Sequence, residues 1–269
     1  MKRKPNLRWI RGIDWENGSQ KDIAALIAGA CLLLILTSVG LDTLITEDEE
    51  AMPDFALIGN VEQRKSSFFE YILPIVEEAN YRVLEQREEI NRIRSQFQER
   101  GKLSRRDRAR VDAFLEEYRF DPVENVEEQT FDYLLARADK VPPSLALSQA
   151  ALESAWGTSR FAKEGNNFFG MWCYEPECGM VPNKRPLGKT YEVATYDSPK
   201  DSFLAYLKNL NTNKSYLEMR SIRRAFRENA IDFAGDDLLP GLRRYSQEGA
   251  QYLSKVQKVI RVNDLSRFD

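Results

Sequence analysis

The sequence contains no histidine at all and only three cysteines among its 269 residues. Without imidazole, Ser-His-Asp and Cys-His catalysis are both impossible, as is any zinc site that needs a histidine ligand. Three cysteines cannot form a four-cysteine zinc site. Charge of one sign is also missing: 39 basic residues meet 42 acidic ones, for a formal net charge of −3. Residues 60–269 carry 33 of each, so no broad basic field is available to hold nucleic acid. Any proton chemistry must therefore rest on Asp, Glu, Tyr or Lys. The apolar fraction of 42%, with 14 Phe, 11 Tyr and 4 Trp, is too large to remain in water and implies a packed core.

One long hydrophobic run is present. Residues 23–41 carry no charge, and nineteen residues at about 1.5 Å rise span roughly 28 Å, close to a bilayer core of about 30 Å. Residues 1–21 hold six basic residues (Lys2, Arg3, Lys4, Arg8, Arg11, Lys21) and two acids. Beyond the run lie Asp42, Glu47, Asp48, Glu49, Glu50 and Asp54. The positive-inside rule then predicts a cytoplasmic tail over 1–21 and a single inner-membrane span over 22–42, with the remaining chain outside the cytoplasm. A buried core helix and a cleaved signal peptide are the competing readings, but the long basic region and the absence of a clear A-x-A site disfavour cleavage. Residues 43–59 read as an acidic tether.

From 60 to 122 a charged surface covers a regular apolar pattern: Phe69, Ile72, Val76, Ala79, Val83, Gln86, Ile90, Ile93, Phe97. The alternating steps of three and four predict one long helical stalk, with Pro74 marking a start or a kink and Gly101 the end. Ser104 to Asp107 reads as a capping box for a second helix through Tyr118. The basic run from Arg100 to Arg110, and later Arg220, Arg223, Arg224 and Arg227, read as solvated helix faces.

The chemistry-bearing part is residues 123–269. Phe131, Leu134, Leu135 and Ala138 form one amphipathic helix, and Val141-Pro142-Pro143 breaks it. A mostly apolar helix from Pro143 stops at Gly157, with Glu153 in its last turn. The negative end of a helix and burial beside Leu152 and Trp156 both disfavour a carboxylate, so Glu153 is expected to hold its proton near neutral pH. Asn166, Asn167, Phe168, Phe169, Gly170 and Trp172 follow. Aromatic faces and amides suit a sugar; the same residues would also make an Asn turn over core aromatics. Cys173 and Cys178 flank Tyr-Glu-Pro-Glu, and outside the cytoplasm a disulfide across that loop is expected.

Gln149 to Ser159, Phe161-Ala162 and Asn166 to Gly170 resemble the signature of bacterial endo-β-N-acetylglucosaminidase domains. Thr195 to Ser198, Asp201-Ser202-Phe203, Tyr206, Tyr245-Ser246, Gly249 and Tyr252 continue it, over about residues 125–265. The whole chain resembles the Bax-like envelope proteins. That resemblance implies a mainly α (α+β), lysozyme-like glucosaminidase domain with a small β-lobe at 171–197. It also implies cleavage of peptidoglycan glycan strands between GlcNAc and MurNAc. Glu153 would be the general acid and Tyr245 its neighbour in the cleft, with Asn167, Phe169, Trp172 and Tyr252 positioning the glycan. A second carboxylate is usual in glycoside hydrolysis. Glu192, ahead of Glu175, Glu177 and Asp197, is its candidate, while the substrate's own acetamido oxygen is an alternative. No metal or organic cofactor is implied. A lytic transglycosylase or muramidase on the same glycan and a non-catalytic glycan-binding scaffold remain the rival readings.

Overall fold

A computed structural model describes residues 52–183 and 185–269, which form one compact unit. The basic tail and the expected membrane span, residues 1–42, lie outside the described residues. Among the described residues, no helix is long and apolar enough to cross a membrane.

The first helix, α1 (Val61–Arg100), runs for 40 residues, about 60 Å at 1.5 Å per residue. Asn60 caps its start by accepting the Gln63 N–H at 2.9 Å. Gly101, at φ +65°, ends it in a left-handed turn. Pro74 lies inside the helix and does not start it. The apolar stripe serves two cores. Phe68, Phe69, Ile72, Val76 and Ala79 enter the main core, so this half of the expected stalk is part of the chemistry-bearing unit. Ile90 and Ile93 enter a smaller core with Phe114, Leu115, Phe131 and Leu134. Gln86 falls between the two and accepts the Tyr118 hydroxyl at 2.5 Å. The second core is completed by α2 (Arg105–Glu117), capped by Ser104, and α3 (Glu128–Arg137).

The main core forms around α4 (Pro143–Glu153), in which every residue from Pro143 to Ala151 is buried. Short α5 (Arg160–Gly165) leads to a three-stranded antiparallel sheet of β1 (Trp172–Cys173), β2 (Gly179–Met180) and β3 (Glu192–Ala194), in the order β1-β3-β2. Trp172 and Met180 both sit opposite Val193. A side chain at Gly179 would collide with the Val193 carbonyl, since a Cβ there would lie 2.0 Å from it. After the sheet come α6 (Pro199–Thr212), α7 (Leu217–Glu228), α8 (Gly235–Leu238) and α9 (Ala250–Val262). The molecule is thus mainly helical with a small sheet.

The arginines of α7 depart from the solvated face the sequence suggests: Arg220 and Arg223 are buried. Arg223 donates to the carbonyls of Ala136, Arg137, Asp139 and Lys140 and to Asn211 Oδ1. Arg87 adds the Leu135 and Ala138 carbonyls. These carbonyls lie in the last turn of α3 and just past it, where intrahelical partners run out. Guanidinium groups from α1 and α7 satisfy them and tie three helices together, with buried Asp139 as counter-charge. A periodicity argument misses this because the last turn of α3 is not visible in the sequence of α7.

Candidate active site

Helix α4 is held at both ends. At its start, Asn80 of α1 donates to the Val141 carbonyl at 2.7 Å and accepts the Val141 N–H at 3.0 Å. The Asp269 carboxylate accepts the Ser144 N–H at 2.8 Å, the Ser144 hydroxyl at 2.6 Å and the Gly235 N–H at 3.1 Å. Negative charge at a helix N-terminus is favourable.

At the other end the helix stops on Glu153 itself, earlier than the expected Gly157. Ala155, Trp156 and Gly157 are all left-handed, at φ +52°, +60° and +73°. Such a conformation costs a non-glycine residue about 1–2 kcal/mol, so the surroundings must impose it. Ser154 Oγ donates to the Ala150 carbonyl and accepts the Gly157 N–H at 2.8 Å. The Trp156 ring is wedged edge-on against Phe68 and Phe69, at centroid distances of 5.8 and 5.4 Å. A side chain at position 157 would strike the Phe55 ring, 2.3 Å from a Cβ. The Ser-Ala-Trp-Gly run is therefore the turn that leaves the Glu153 side chain at the end of the helix.

Glu153 is half-buried, and burial raises its pKa above the ordinary 4.5. A hydrogen bond from Tyr252 opposes that shift and the Glu248 carboxylate reinforces it. Gly170, at φ +62°, forms the floor: a Cβ there would lie 2.7 Å from Glu153 Oε2. Gly170→Ala is therefore expected to displace the carboxyl and strain the turn. We expect it to lower any activity that depends on this carboxyl about 100-fold, the loss typical of a small misplacement, while circular dichroism shows the helices retained. Activity within threefold of wild type would exclude this role for Gly170.

A tyrosine cluster surrounds the acid. Gln149, one turn before Glu153, is wholly buried; its Nε2 donates to the Tyr252 hydroxyl at 3.0 Å and its Oε1 accepts the Tyr206 hydroxyl at 2.7 Å. Tyr245 stacks on Tyr252, with centroids 5.5 Å apart and planes 12° apart, and donates its own hydroxyl to the Phe169 carbonyl at 2.9 Å. Burial raises the pKa of Tyr206, Tyr216, Tyr245 and Tyr252, so all four keep their protons in the neutral range.

Several expected site residues have other partners. The hydroxyl that favours the Glu153 anion is that of Tyr252, while Tyr245 spends its own on the Phe169 carbonyl and contributes its ring. Asn167 is buried and its amide is fully used: it donates to the Met171 and Ala194 carbonyls and accepts the Met171 N–H. It latches the turn to β3 and offers a glycan nothing. Phe169 is buried against Tyr206 at 4.3 Å, so its ring face is not free for a sugar. The Asn-turn alternative is therefore what this segment forms. Trp172 differs, being 48% exposed with its ring edge-on to Tyr191 at 4.5 Å. Glu192 is buried, and its Oε2 accepts the Gly179 N–H at 2.9 Å, bracing β2 against β3. Cys173 and Cys178 form a disulfide with Cα atoms 6.1 Å apart. Their sulfurs and the Glu192 carboxylate form the metal-like cluster found among the described residues, but the disulfide leaves it no thiolate. A polar cavity of about 190 Å³ is lined by Arg87, Asp139, Arg223 and Arg227, not by Glu153. Gln149 and Tyr206 fall within the signature segments but without an expected role beside the acid, and Glu248 falls outside them. Gln149 was detectable as the i−4 neighbour of Glu153 on one helix face.

This arrangement, a helix-end acid with a raised pKa inside a tyrosine cluster, is accompanied by clear sequence relationships. The family model described as glucosaminidase, mannosyl-glycoprotein endo-beta-N-acetylglucosaminidase, matches residues 133–265. Protein bax of Escherichia coli (strain K12) is 30% identical over 202 residues, 75% of this chain and 70% of that protein. The chain belongs to the glucosaminidase family, alongside that Bax protein. The catalytic domain of the autolysin Auto from Listeria monocytogenes aligns over 68% of this chain and 87% of its own, at 23% identity and a TM-score of 0.33.

Proposed function

We propose that the protein is a peptidoglycan glycosidase that cleaves the β-1,4 bond on the reducing side of GlcNAc, with Glu153 as general acid. The observation that carries this reading is the burial-raised Glu153 held between Gly170 and Tyr252. Such a carboxyl keeps a proton available for the glycosidic oxygen and becomes an anion that Tyr252 can stabilise after transfer. We read the fold as lysozyme-like, the acid on a helix end beside a small β-lobe. Trp172 would offer its exposed face to the apolar side of a sugar ring. With Glu192 committed to the sheet, the acetamido oxygen of the GlcNAc would serve as internal nucleophile, a known exception to the two-carboxylate rule. In this reading residues 23–41 anchor the chain in the inner membrane and place the domain in the periplasm, a compartment that suits the Cys173–Cys178 disulfide.

The products test the linkage. Digestion of purified sacculi is expected to release fragments with reducing GlcNAc ends. Anhydromuramyl ends would mean elimination, reducing MurNAc ends a muramidase, and either would overturn the proposed linkage. Binding to sacculi with no cleavage would favour a scaffold.

A further inference from the structure

We infer that Gln149 is a positioning residue: it fixes the hydroxyl proton of Tyr252 toward the Glu153 carboxyl, so that Tyr252 acts as a donor when the acid gives up its proton. The inference rests on Glu153 being the acid proposed above, and it adds a three-residue device behind it. The direction of every hydrogen bond follows from its far end. Tyr206 is wholly buried, and among the described residues the hydroxyl's hydrogen-bond acceptor is Gln149 Oε1, at 2.7 Å. A buried hydroxyl with no acceptor is costly, so Tyr206 must donate and the amide oxygen must face it. The amide nitrogen then faces Tyr252 and donates to its oxygen at 3.0 Å. Tyr252 accepts from Gln149 and so has its own hydrogen to give, and the Glu153 carboxyl is the acceptor to which the electrostatics of both groups point. Reversing the amide would leave Tyr206 without an acceptor and turn the Tyr252 proton away from the acid. Aligned donors of this kind strengthen one another in a low-dielectric interior.

The consequence is a balance. Burial and the Glu248 carboxylate, itself paired with Lys255 at 2.6 Å, favour the protonated acid, while the Tyr252 hydrogen favours the anion. Tyr206, Tyr216, Tyr245 and Tyr252 also face this region and stay protonated in the neutral range, and the charged groups beside them are Glu248 and its partner Lys255.

The test uses the full-length chain and three variants, Gln149→Met, Tyr252→Phe and their double mutant, with pH–rate profiles on sacculi and a 13C titration of the Glu153 carboxyl. Loss of a hydrogen bond to a charged group predicts a fall in maximal rate of about 10- to 100-fold. The basic limb and the 13C midpoint should both move to higher pH, because the anion has lost its donor. The double mutant should show the shift of Tyr252→Phe alone, since Gln149 acts through Tyr252. Tyr206→Phe, which removes one oxygen, covers the case in which Gln149→Met does not fold. It frees the amide to turn and should move both readouts in the same direction by less. Slower variants whose limb and 13C midpoint stay at the wild-type values, or additive shifts in the double mutant, would overturn the inference. The 13C titration does not require turnover. A midpoint that moves in a protein inactive on sacculi would therefore keep the device and reject the glycosidase reading.

Discussion

Glu153→Gln is expected to lose about 10²–10⁴-fold in cleavage rate, the range associated with removing a general acid, and to gain stability at the same time. The gain follows from the direction of the pKa shift. Burial raises the folded-state value of Glu153 above 4.5, so the ionised form is disfavoured in the folded chain relative to the unfolded one. That penalty is absent below the unfolded value, grows as pH rises past it and is complete above the folded value. Glutamine carries no such penalty. The variant should therefore melt above wild type at pH 7–8, by about 2–4 °C for each kcal/mol at this size, and the two curves should converge below pH 4. A surface glutamate would show neither the loss nor the gain. A variant that melts at or below wild type at pH 8 would show that the local field at Glu153 has been misread.

The largest expected effect on folding lies elsewhere. Asp139 is 1% exposed and accepts two hydrogen bonds from Arg227, at 2.7 and 3.0 Å, with Arg87 at 3.5 Å and Arg223 at 3.7 Å. Burial alone would raise its pKa, but the surrounding arginines outweigh burial and hold the carboxyl below 3.8. Burial brings Arg223 down to about 10. Asp139→Asn keeps the shape and removes the charge, leaving three guanidinium groups on the end of α3 without their anion. Breaking a buried pair in this way costs about 3–5 kcal/mol. The melting midpoint should fall by roughly 10 °C or more. Because the folded pKa is depressed, this stabilisation is fully present above the unfolded value and disappears as pH falls through the folded one. The gap between wild type and variant should therefore close in acid, as for Glu153→Gln, but here wild type is the more stable of the two at neutral pH. A difference under 1 kcal/mol at pH 7 would mean the helix-end carbonyls alone suffice for the arginines.

These two sites also show what the sequence could and could not convey. The helix periods of α1 were legible because apolar spacing is a local property, and so were the glycine that stops α1 and the serine that starts α2. Glu153 was legible because an acid among small apolar residues at a helix end is a local contradiction that needs a reason. Partner assignments were not legible. Asn167 and Phe169 have the residue types of a sugar site, yet tertiary contacts with Met171, Ala194 and Tyr206 claim them. Glu192 fits a catalytic acid equally well until the register of β3 places it against the Gly179 N–H. Arg223 looks solvated until α7 is laid across the end of α3. In each case the deciding group lies far along the chain, where periodicity carries no information.

The proton on Glu153 can be followed directly by titrating its carboxyl in the wild-type chain through its 13C shift, with and without a bound peptidoglycan fragment. A midpoint above 4.5 is expected in the free protein, and a protonated acid in the glycan complex at neutral pH. A carboxyl that titrates at or below 4.5 in the free protein and is fully ionised in the complex would leave the glycosidic oxygen without a donor, and would contradict that expectation.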